Sequence, residues 1–77
     1  MKNVIINEIK SLVLMQSHQC YNNIIENNNE IEIIKAKYGG SSITEVRELY
    51  SIHMLLNEHK EYLDVVSTAH KITVVFK

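Results

Sequence analysis

The chain has no proline, and its two glycines stand side by side at Gly39 and Gly40. Positive φ is therefore available without a Cβ penalty at one place along 77 residues, and no proline interrupts a helix or strand elsewhere. That pair divides the chain into two long arms, and each arm carries a recurring apolar pattern.

In the first arm Ile6, Ile9, Val13, Cys20, Ile24, Ile31, Ile34 and Tyr38 step by three or four residues once Gln16 and Asn27 are counted as members of the stripe. Side chains at that spacing return to one side of an α-helix, so the spacing predicts a helix over 3–38. The cluster Asn22, Asn23, Asn27, Asn28 and Asn29 opposes it, because asparagine competes with the backbone for hydrogen bonds. A second version of the same reading breaks the helix at 27–29. In the second arm Ser42 and Glu45 stand in the capping-box relation, and Leu49, Ile52, Leu56, His59, Leu63 and Val66 continue the helical step, predicting a helix over 42–67. At the end, Ile72, Val74 and Phe76 alternate with Thr73, Val75 and Lys77, the pattern of a short strand or extended tail. No internal repeat, linker or low-complexity tail stands out, and residues 1–77 read as a single domain. The expected fold is mainly α: an antiparallel helical hairpin bent at the glycines, with Ile31 near Leu49, Ile24 near Leu56 and Cys20 near His59.

The second helix carries a further flank, Ile43, Val46, Tyr50 and Met54, with Leu55 and Tyr62 widening the apolar sector. One partner helix cannot cover all of this, and contiguous apolar patches are seldom left bare on a monomer. A homodimer, in which two hairpins form a four-helix bundle with coiled-coil packing, buries it. The expected interface residues are Val46, Tyr50, Met54, Leu55 and Tyr62. Gln16 and Asn27 then lie either as polar layers that fix register or at an exposed part of the stripe.

Charge narrows the function classes. Eight basic and nine acidic residues give a formal charge of −1, which supplies no field for nucleic acid. There is no apolar run long enough to cross a bilayer, and Asn7, Glu8 and Lys10 interrupt any signal-peptide core. A lone thiol at Cys20 fits a reducing, cytoplasmic compartment. Heavy use of Asn, Ile, Lys and Glu is the codon signature of an AT-rich genome, pointing to a bacterium or phage.

Cys20 and His59 in one layer raise two chemistries. A thiolate beside an imidazole is a nucleophile, but no Gly-rich elbow, acid partner or oxyanion pattern accompanies them, and both residue types serve commonly in apolar interiors. Two copies of each in a dimer match tetrahedral zinc in number, yet the tight local ligand pairs of zinc motifs are missing, since His18 and Cys20 fall on different sides of a helix and His53 and His59 are wrongly spaced. No enzyme activity, metal or cofactor is expected. The segment AKYGGSSITEV resembles the helix-turn-helix motif of DNA-binding regulators at Ala36, Gly40 and Val46, which would make the chain a DNA-binding regulator. Gly39 and Ser41 depart from that motif, and Glu48, Glu58 and Glu61 would repel phosphate. The preferred expectation is a small non-enzymatic protein–protein interaction module or regulator that pairs with itself and engages a larger regulatory protein, without nucleic acid or membrane.

Overall fold

The computed structural model describes residues 1–16, 20–36 and 42–77, and of Thr44, Glu45 and Leu49 the backbone alone. It overturns the helical hairpin, and with it the coiled coil and the four-helix bundle: the fold is α+β, with two helices and a four-stranded antiparallel sheet. The order is α1 (Lys2–Met15), β1 (Tyr21–Asn27), β2 (Glu30–Lys35), α2 (Ile43–Glu58), β3 (Leu63–Ser67) and β4 (Lys71–Phe76). In the sheet the strands run β1-β2-β4-β3.

The expected helix over 3–38 is real only as far as Met15. Ile5, Ile9, Leu12 and Val13 give α1 its inward stripe, and the chain turns extended at Gln16. Beyond it the pattern has two readings, and the strand reading wins. In β2 the letters Glu30, Ile31, Glu32, Ile33 alternate with a period of two, which buries both isoleucines and leaves the carboxylates on the other face. The asparagines that burden a helix are at home in the β1–β2 hairpin, where Asn28 and Asn29 form a two-residue turn between the paired Asn27 and Glu30. Lys2 ties the start of α1 to that turn, donating to the Asn28 carbonyl and to Asn29 Oδ1.

The expected helix over 42–67 ends at Glu58, and Leu63 and Val66, assigned to its stripe, belong to β3. The C-terminal alternation forms β4, but not as an appendage. It lies inside the sheet between β2 and β3 and pairs within the chain. Thr68 closes the β3–β4 hairpin: its N–H donates to the Lys71 carbonyl and its hydroxyl accepts from the N–H groups of His70 and Lys71. The Gly39–Gly40 bend lies outside the described residues, as does the Glu45 side chain of the Ser42–Glu45 capping box.

Both helices cover one face of the sheet. Ile5 and Ile9, Ile52 and Leu56, Ile31 and Ile33, and Ile72 and Val74 are all at most 2% exposed and form one core. The helices lie antiparallel, since His59, just past α2, reaches Glu8 of α1 at 3.6 Å, while Arg47, Glu48 and Ser51 line a cleft with Leu12, Met15 and Gln16.

The chain is also a repeat, contrary to the sequence-based expectation. Each half is an αββ unit, and both ends of β4 follow those of β2 by 41 residues. The same step relates Tyr21 to Tyr62, Ile24 to Val65, Ile25 to Val66, Ile31 to Ile72 and Ile33 to Val74. A pseudo-two-fold axis passes between β2 and β4 at the Glu32–Thr73 pair. The helix faces match at a step of 43, Ile9 with Ile52 and Leu12 with Leu55, so the second half spends two residues fewer between helix and strand. That offset hides the repeat when the sequence is read at a single step.

Candidate interaction surface

The five expected interface residues separate. Leu55 is 8% exposed and belongs to the core. Val46, Tyr50 and Met54 face outward from α2, with Tyr50 59% and Met54 68% exposed, and Ile43 extends the row. Their steps of three, four and four place them on the side of the helix opposite Ile52 and Leu56. Tyr62 is exposed too, but it precedes β3 and its carbonyl accepts from the Lys77 N–H.

The outward row of α2 borders a second feature that the sequence reading missed. Between α2 and β3 runs a groove of about 360 Å³ lined by His53, Leu56 and Asn57 on the helix, Lys60 in the turn after it, and Leu63, Asp64 and Val65 on the strand. Tyr50 and His53 pack ring to ring at its helix margin, with centroids 6.3 Å apart. At the far end Lys35 Nζ donates to Ser67 Oγ at 3.2 Å and to the Thr68 carbonyl at 2.7 Å. Burial holds the Lys35 ammonium below its ordinary pKa. Burial, and after it the nearby Lys35 charge, hold the His53 imidazole below its ordinary pKa.

β3 is an outer strand of the sheet. The Lys77 N–H donates to Tyr62, and Thr68 bonds to Lys71, so the even-numbered residues of β3 turn their backbone groups to β4. Leu63, Val65 and Ser67 then turn theirs outward, beside the groove. The signal lies in LDVVS, a short β-branched run followed by the polar segment Thr68–Ala69–His70, but Leu63 and Val66 also fit the step of a helical stripe.

Cys20 and His59 do not share a layer. Cys20 is fully buried, and its thiol lies 3.8 Å from Glu48 Oε2. His59 lies eleven residues beyond Glu48, just past the end of α2 and about 16 Å away along the helix axis. Tyr21, beside Cys20, is also buried; Gln16 caps it by accepting from its N–H at 2.8 Å and donating to its carbonyl. Burial, with Cys20 as the smaller cause, pushes the Tyr21 phenol far above its usual pKa. Among the described residues no group of three or more His, Cys, Asp or Glu is placed to hold a metal ion. His18 lies outside them. The helix-turn-helix resemblance needs a helix before the glycines, and β2 occupies that position. No described helix is long and apolar enough to cross a membrane.

No protein-family model matches the chain, and no curated protein and no solved structure matches it either.

Proposed function

We propose that the chain is a non-enzymatic protein–protein interaction module that associates with itself, in the reducing cytoplasm to which its lone buried thiol is suited. The observation that carries this reading is one continuous surface: the outward row Ile43, Val46, Tyr50 and Met54 on α2, the groove beside it, and the open edge of β3. Large aromatic and methionine side chains supply most of the energy of such contacts, and an outer strand supplies backbone partners. A larger regulatory protein could dock on the same surface through an amphipathic helix or an added strand.

Tyr50→Glu and Met54→Glu test the reading. Neither side chain belongs to the core, so both variants are expected to fold. Each is expected to lose about 2 kcal/mol of association, about thirtyfold in dissociation constant, measured by sedimentation equilibrium. Wild-type protein that stays monomeric, or unchanged association in both variants, removes the α2 row from the surface.

A further inference from the structure

We infer that the occupant of the β3 edge is β3 of a second copy, antiparallel about a two-fold axis at Val65, joining two four-stranded sheets into one of eight strands. The inference rests on the reading of the chain as a self-associating module and names its geometry.

The sequence of β3 selects the register. Leu63, Val65 and Ser67 are the residues whose N–H and C=O groups turn outward, so a symmetric antiparallel pair must place outward residues opposite one another. With Val65 opposite Val65, Leu63 stands opposite Ser67 on both sides of the axis, and three pairs exchange two hydrogen bonds each. Sliding by one pair toward the start of the strand puts Asp64 opposite Asp64, a like-charge contact that destabilises a sheet. Sliding the other way leaves Leu63 beyond the end of its partner's strand. In the central register Asp64 lies opposite Val66, and the Lys77 ammonium of its own chain, 3.7 Å away, balances its charge.

The side chains suit the same arrangement. Val65 faces the helix layer, yet α2 leaves it 39% exposed along the groove. The axis at Val65 sets two such grooves face to face, so each copy brings Tyr50, His53 and Asn57 toward the gap left by the other. Val66 on the opposite face is 63% exposed and gains a neighbour there as well. β3 pairs with β4 without a bulge, its one charge, Asp64, is balanced by Lys77, and a short, mostly apolar edge of this kind is the form of strand that pairs with another. The isologous contact also closes, giving a dimer rather than a filament.

Val65→Pro separates this inference from the function it rests on. The Val65 N–H points away from β4, so proline removes no hydrogen bond inside the chain while blocking the centre of the intermolecular ladder. The expected result is a dimeric wild type by light scattering and a monomeric Val65→Pro with an unchanged far-ultraviolet circular dichroism spectrum. A nuclear Overhauser contact between Asp64 Hα of one chain and Val66 Hα of the other, in a mixed sample of labelled and unlabelled protein, decides the matter if the variant does not fold. A dimeric wild type without that contact, with Val65→Pro still dimeric where it folds, overturns the strand pairing and leaves self-association through Tyr50 and Met54 standing. A monomeric wild type overturns both, and the edge is then left to an extended segment of another protein.

Discussion

The two outer strands occupy equivalent places in the repeat and are treated in opposite ways. β1 is closed. Lys10 reaches from α1 to Glu26 at 2.5 Å, a strap over the flank where Ile24 is half-buried. A bulge between Tyr21 and Asn23 breaks the regular edge, and the Asn23 side chain accepts from the Ile24 N–H at 2.9 Å, taking up a group that another strand would need. β3 has none of these devices among the described residues. The repeat places His53 where α1 has Lys10 and Ser67 where β1 has Glu26, so the strap is absent and Val65, the counterpart of Ile24, lies beside an open groove. One architecture thus carries a guarded edge and an available one, and the difference comes from a few polar side chains rather than from the backbone plan.

The strongest way to break this contrast is to move the strap. His53→Lys with Ser67→Glu gives the second half the ion pair of the first, with the new carboxylate also within reach of Lys35. The double variant should fold and raise the dissociation constant of self-association about tenfold or more, read by sedimentation. Unchanged association would show that the strap does not guard an edge.

A smaller effect comes from His53 itself. Its pKa is lower folded than unfolded, so the unfolded chain takes up a proton first as the medium is acidified. Stability present above pH 6.5 should therefore decline as pH falls through the folded value, and His53→Gln should remove that part of the slope in urea titrations. The smallest effect is expected at Lys10. Lys10→Ala removes a surface ion pair worth about 0–1 kcal/mol, with the loss shrinking in high salt, and should leave the oligomeric mass unchanged because the bulge and the Asn23 cap remain.

Much of the local structure was legible in the residues. A helix near the start of the chain with Ile9 and Val13 inward, the helix that starts after Ser42 and the alternating C-terminal strand follow from spacing, although Ile5 rather than Ile6 is the fully buried position of α1. The error arose where isoleucines fit two periods at once. Ile24, Ile31 and Ile34 satisfy a helical step, while Glu30 to Ile33 alternate as a strand, and the Asn28–Asn29 turn decides between them. The unbroken helix treats those asparagines as a tolerated cost, while the version that breaks at 27–29 puts the interruption in the right place but between helical segments, where the structure has two strands. Of the surface, Val46, Tyr50, Met54 and Tyr62 were identified as apolar residues in excess of what one partner covers, and all four are exposed. The β3 edge was not, because edges depend on which strands pair across the chain, and Leu63 and Val66 carry no local mark of that pairing.

The seam between β2 and β4 has a kinetic meaning. Each hairpin closes over a short loop, whereas Ile33 meets Ile72 across about forty residues of intervening chain. Hairpins form in microseconds, and long-range pairing is the slow event in proteins of mixed topology. The halves can therefore assemble early and wait for one another, so refolding rates should respond most to changes at Ile33 and Ile72. Until they join, the unmatched flanks of β2 and β4 stand open to strands from neighbouring molecules, and crowding during synthesis would penalise a slow closure.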